Sequence, residues 1–183
     1  MKSPLYFIIR PLRNQEYINK IDSGLIVNTS IEDHTYTQRM AVVITIPIDY
    51  KGEIKEGDTI VVQHNTFRTQ YDNQGFPRPS MYKITENLYY IEESLIYGII
   101  YNDSELKSLD PFCFVSPFDE DSKFEGTIEV EREGVLYATP KSLEEEGFSN
   151  GDVVFFKRDS EYEFNIHNTR LYLMNSNRIL CKV

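Results

Sequence analysis

A short pattern occurs twice along this chain, and self-similarity constrains a fold more than any single residue can. Gly57-Asp58-Thr59-Ile60-Val61-Val62 is followed by Leu88-Tyr89-Tyr90-Ile91 and then by Leu95-Ile96-Tyr97-Gly98-Ile99-Ile100. The same succession returns as Gly151-Asp152-Val153-Val154-Phe155-Phe156, Leu171-Tyr172-Leu173-Met174 and Arg178-Ile179-Leu180-Cys181-Lys182-Val183. Two copies imply two similar units in tandem. Each copy opens a strand with Gly-Asp, a pair suited to a tight turn because glycine accepts positive φ and aspartate bonds to the nearby backbone. Both aspartates are therefore read as structural rather than catalytic.

The segments that read as strands are short, rich in Val, Ile, Tyr and Phe, and separated by Gly, Asp and Asn: residues 5–9, 40–48, 59–63, 88–91, 95–101, 124–130, 153–157 and 170–174. Only residues 142–146 read as helical. With 13 Tyr, 11 Phe and no Trp, the pattern predicts an all-β protein built as barrels or sandwiches. Residues 103–111, polar and ending at Pro111, read as a linker. The expected organisation is thus a first barrel over residues 1–102 and a second over 112–183.

A net charge of −10 argues against sequence-independent nucleic-acid binding, which needs clustered Lys and Arg to displace counterions from phosphates. The two cysteines, Cys113 and Cys181, have no second Cys or His at ligand spacing, which excludes a disulfide framework and a zinc motif. The apolar run 5–9 is cut off by Arg10, too short for a secretory h-region, and no run approaches the roughly 20 apolar residues of a membrane span. Cytoplasmic residence, with no membrane partner, is the expectation.

Catalytic and metal chemistry find little support in the residues. His34 adjoins Asp33 with no nucleophile nearby in sequence. His64 and His167 each begin a His-Asn-Thr triplet, at positions that do not correspond in the repeat. Asp119-Glu120-Asp121 lacks the glycine and spacing of a calcium loop and reads as a solvated acidic turn. No glycine-rich phosphate loop precedes a helix. No catalytic residue, metal site or cofactor is expected, and the chain reads as a binding protein.

Several segments, in order, resemble the GroES co-chaperonin family. Ile9-Arg10-Pro11-Leu12 looks like the family's opening strand, and Ser23-Gly24-Leu25-Ile26-Val27 like its mobile-loop segment within residues 22–39. Ala41-Val42-Val43, Gly57-Asp58 and Glu93-Ser94-Leu95-Ile96-Tyr97-Gly98-Ile99-Ile100 follow as later strands and turns. The resemblance implies tandem GroES-like barrels, a homo-oligomeric ring and a GroEL-type chaperonin as partner. It implies that strands 5–9 and 95–101 pair between neighbouring subunits, and it places the chaperonin contact on Gly24, Leu25, Ile26 and Val27. Three aliphatics between Asp22-Ser23-Gly24 and Asn28-Thr29-Ser30 also suit a binding anchor on their own terms. The competing reading makes residues 25–27 an ordinary strand.

The second half resembles the family less. Phe124-Glu125-Gly126-Thr127-Ile128-Glu129-Val130 stands for the strand after the mobile loop, while an Arg-Pro-Leu opening and a glycine-aliphatic loop are missing. In the first half, residues 47–53 stand where the family has a longer roof hairpin. Residues 71–80, with Gly75-Phe76-Pro77-Arg78-Pro79, form an insertion that reads as a surface loop or a rigid contact loop. A different class fits the same composition: a structural β-barrel assembly protein, such as a phage or virus head or tail component.

Overall fold

The computed structural model describes residues 1–14, 16, 37–102, 105–117, 133–157, 162–166 and 169–183. The chain divides into two compact units, Met1–Asp103 and Ser104–Val183. Both are built from antiparallel strands, and the protein is all-β, with one short helix and isolated 3-10 turns among the described residues.

In the first unit the strands are β1 (Phe7–Pro11), β2 (Met40–Thr45), β3 (Thr59–Val62), β4 (Gln70–Tyr71), β5 (Pro77–Arg78), β6 (Lys83–Thr85), β7 (Leu88–Ile91) and β8 (Ile96–Tyr101). The second unit holds β9 (Glu105–Ser108), β10 (Phe112–Pro117), β11 (Glu133–Ala138), α1 (Lys141–Glu145), β12 (Val153–Phe156), β13 (Tyr162–Ile166), β14 (Thr169–Asn175) and β15 (Ile179–Lys182). Side chains alternate between core and surface along β2, β7, β11 and β12, the two-residue period of a half-buried strand. β1 and β10 are buried more continuously, at Phe7, Ile8, Ile9 and Pro11 and at Cys113, Phe114 and Val115.

The repeat seen in the sequence is a repeat of topology. Six strands of the first unit run in the spatial order β6-β7-β1-β2-β3-β8, and six of the second in the order β13-β14-β10-β11-β12-β15. Taken in chain order the two arrangements are the same. The irregularities coincide too: the β1–β2 ladder shifts register between Ile8 and Ile9, and the β10–β11 ladder between Phe114 and Val115. A second shift falls between Val61 and Val62 opposite β8, and between Phe155 and Phe156 opposite β15. Bulges of this kind bend and twist a strand, so the two sheets bend at equivalent places.

β7 and β8 lie on opposite sides of β1, β2 and β3, yet only the 3-10 turn Glu93–Leu95 and one flanking residue separate them in the chain. In a flat sheet they would stand about 19 Å apart, farther than that compact link spans. The sheet must therefore curl. β14 and β15, joined through Ser176–Arg178, impose the same curl on the second unit. The ladders remain open among the described residues, so each unit is a curled open sheet where closed barrels were expected.

Three further expectations change. Glu105–Ser108, inside the stretch read as a linker, forms a strand. The counterpart of β2 is β11, which pairs with β10 and β12 as β2 pairs with β1 and β3; residues 124–130, assigned that role from sequence, lie outside the described residues. β1 has β2 on one side and β7 on the other, so Phe7, Ile8 and Ile9, within the stretch 5–9 expected to pair between subunits, are paired inside their own unit.

The first core gathers Phe7, Ile9, Ile60, Tyr89, Ile91 and Ile99, all essentially inaccessible. The second gathers Cys113, Val115, Leu136, Val154, Phe156 and Met174, closed on one side by Leu143 of α1. α1 stops at a glycine: Gly147, with φ 88°, donates its N–H to Glu144 O at 3.0 Å, and Phe148 N donates to Leu143 O at 3.0 Å.

Candidate functional site

Gly24, Leu25, Ile26 and Val27 lie outside the described residues, as do His34, His167 and Asp119-Glu120-Asp121. What the structure describes is the base from which the segment 17–36 departs. The chain leaves β1 through Arg13 (φ 59°) and Asn14 (φ 57°), two successive non-glycine residues in the left-handed region. Asparagine tolerates that conformation, while arginine is strained there by about 1 kcal/mol.

The two ends of the segment are tied together. Gln38 N donates to Glu16 O at 2.9 Å, and Gln38 Nε2 donates to Leu12 O at 3.3 Å. The Gln38 side-chain oxygen accepts from Arg39 N at 3.1 Å and from Met40 N at 3.2 Å. Glu16 is held from below as well: its carboxylate accepts from Lys83 Nζ at 2.6 Å and from the Tyr89 hydroxyl. Tyr89 is fully buried, its ring edge-on to Phe67 at 4.8 Å. A buried ring with one polar tip fits this post, because the tip needs a partner and Glu16 supplies it. β6 and β7 thus converge on one carboxylate at the root of the segment.

In the second unit, residues 118–132 separate β10 from β11 in the chain, as residues 12–39 separate β1 from β2. The structural counterpart of Arg10-Pro11 there is Ser116-Pro117: Pro11 faces Ala41 across the ladder as Pro117 faces Gly134.

A second feature sets the units apart. β4 and β5 form a hairpin, with no counterpart among the described residues of the second unit. Asp72 organises its turn: Oδ1 accepts from Gln74 N at 3.0 Å and Phe76 N at 2.9 Å, while Arg78 Nη2 stands 3.1 Å from Oδ2. The Phe76 N–H, with those of Gln74 and Arg78, holds the Asp72 carboxyl below its ordinary value. Gly75, at φ 81°, supplies the one position a side chain would strain. The base is closed by Ser80, whose hydroxyl donates to Thr66 O at 2.7 Å. Tyr71 and Phe76 are left exposed at 48% and 61%.

Two ionisable groups are shifted upward by their surroundings. Burial pushes the Cys113 thiol up to about 12. It also pushes the Tyr50 phenol up to about 12, with the Glu93 and Glu53 carboxylates adding to the effect. Neither ionises near neutrality. The Tyr50 ring covers Gly52 so closely that a Cβ there would stand 2.1 Å from the hydroxyl, which fixes the 47–53 turn. His64 sits in the 3-10 turn His64–Thr66, and no group of three metal-ligating side chains forms among the described residues. Among those residues, no helix is long and apolar enough to cross a membrane.

No protein-family model matches the chain, and no curated protein matches it in sequence.

Sequence reasoning passed over Glu16, Gln38, Lys83 and Tyr89, because the contacts joining them span dozens of residues. The signal for the hairpin was local: Asp72-Asn73-Gln74-Gly75 is turn chemistry of the ordinary kind.

Proposed function

We propose that this chain is a non-catalytic binding protein, a co-chaperonin that docks on a GroEL-type chaperonin through Leu25, Ile26 and Val27 and works as a homo-oligomeric ring in the cytoplasm. The observation that carries the reading is one of pattern: three consecutive aliphatics with polar flanks, in a segment whose ends at Glu16 and Gln38 are tied together. Tethered ends let the segment reach a partner while the sheet beneath stays folded. Gly24 supplies backbone freedom before the anchor. Each aliphatic is worth about 1.5 to 3 kcal/mol on burial before ordering costs, and a ring that presents many such segments multiplies weak single contacts.

Limited proteolysis tests the reading. Cleavage near Leu25 in the free protein, suppressed by chaperonin with ATP, is the expected result. Equal resistance in both states would identify residues 25–27 as an ordinary strand.

One observation favours a second reading, a structural assembly protein of the phage or virus head or tail kind. The β4–β5 hairpin is an ordered, aromatic-tipped projection that the repeated topology does not require. Assembly into large particles without any chaperonin would favour this alternative.

A further inference from the structure

We propose that the β4–β5 hairpin is a docking element through which one copy of this chain binds the acidic unit Ser104–Val183 of a second copy. The inference does not depend on the chaperonin reading.

The internal repeat acts as a control. The second unit makes the same six-strand order while passing from β12 to β13 through residues 157–161 alone. The first unit spends residues 63–82 on the equivalent passage and places the hairpin there. Folding of this topology therefore does not call for the hairpin.

It is nevertheless built with care. Asp72 binds two backbone N–H groups and Arg78, and Ser80 ties the exit of the insertion to its entry at Thr66. An element held in one shape gives up little conformational entropy on binding. What it presents is apolar: Tyr71 and Phe76 are exposed, with Met81 exposed just beyond. Aromatic side chains on an ordered frame are the usual anchors of protein interfaces.

Charge selects the partner. Acidic residues outnumber basic ones by 29 to 19 over the chain, so two copies repel one another except where the sign reverses locally. It reverses in the insertion, where Arg68 and Arg78 stand against Asp72 alone between residues 67 and 80. The second unit carries most of the negative excess, with sixteen Asp and Glu against nine Lys and Arg from residue 104 onward. Its exposed carboxylates include Glu144, Glu145 and Glu146 at and just after α1, and it exposes Tyr137, Leu180 and Val183 as apolar surface. Donor and acceptor are different surfaces, so the contact is head-to-tail and either closes into a ring or grows into a filament.

Sedimentation velocity on the full chain tests this, across about 1 to 100 μM, where micromolar interfaces fill. Three proteins are compared: wild type, the hairpin variant Tyr71→Ser/Phe76→Ser, and the acceptor variant Glu144→Lys/Glu145→Lys/Glu146→Lys. Every substituted side chain is exposed, and circular dichroism checks that both variants remain folded. Wild type is expected to associate, more weakly as NaCl rises from about 0.05 to 0.5 M, and each variant alone at least tenfold less. Mixing the two variants should restore a one-to-one complex, since each supplies what the other lacks. A wild type monomeric throughout, a hairpin variant that associates like wild type, or two variants that fail to combine would overturn the proposal.

Discussion

Gly57 and Gly151 take the same turn: φ is 93° at both, Gly57 N donates to Val43 O at 2.8 Å, and Gly151 N donates to Leu136 O at 2.7 Å. The following aspartates complete the match. Asp58 Oδ2 accepts from Lys55 N at 2.7 Å, and Asp152 Oδ2 accepts from Ser149 N at 2.9 Å. Each turn feeds the strand that follows it, β3 or β12, into the ladder, so its geometry sets the register of that strand.

Gly57→Ala and Gly151→Ala should therefore each destabilise the protein by about 1 to 2 kcal/mol, the cost of holding a side-chain-bearing residue in the left-handed region. No heavy atom lies within 4 Å of a Cβ built at either position, so the loss comes from the backbone alone and should be similar in both units. Chemical denaturation measures it. Unchanged midpoints in both variants would contradict the turn assignment.

Gly134 is required for a different reason. A Cβ there would stand 2.5 Å from Val115 Cγ1 and 2.7 Å from the Ser116 carbonyl oxygen, which brings β11 against β10 more closely than alanine permits. Gly134→Ala is expected to cost about 1 to 3 kcal/mol through overpacking, read as a lower melting temperature. The matching position of the first unit holds Ala41, fully buried, so Ala41→Gly should cost less.

Much of the fold was legible because it rests on local patterns. The Gly-Asp turns, the β7 and β14 segments, the β8 and β15 segments and α1 all stand where turn chemistry and β-branched or aromatic runs put them. β11 was missed because Glu133-Gly134 opens it with two poor strand formers, and the glycine is demanded by a contact with β10 that sequence does not reveal. β9 was read as a linker because Glu105, Lys107 and Ser108 are polar, although Leu106 and Ser108 are buried. The root of the candidate segment was invisible for the same physical reason: Glu16 meets Lys83 and Tyr89 only once the sheet has formed.

Tyr89→Phe removes one of the two side-chain donors to Glu16 while keeping the buried ring. It should lower stability by about 1 kcal/mol, the net worth of one hydrogen bond. Hydrogen exchange at the Gln38 amide should speed up, since that amide is held by Glu16 O. An unchanged Gln38 exchange rate would mean that Tyr89 does not secure the root.

The hairpin should respond to acid late. Phe76 N–H first, with Gln74 N–H and Arg78, stabilises the ionised Asp72 carboxyl and lowers its pKa from the ordinary 3.8. A depressed folded-state pKa gives a contribution present above the unfolded value and lost as pH falls through the folded one. Amide chemical shifts of Gln74 and Phe76 should therefore hold steady down to the ordinary carboxylate value and move only below it. Movement centred above that value would contradict the role of Asp72.

The most direct measurement of the proposed function is co-sedimentation of the full chain with a GroEL-type chaperonin, with and without ATP, for wild type and Ile26→Asp. Wild type should bind in the presence of ATP. Ile26→Asp, which would put an unpaired charge in the middle of the aliphatic anchor, should remain folded and lose that binding. Absence of wild-type binding in either nucleotide state, or binding of Ile26→Asp at wild-type strength, would contradict the account.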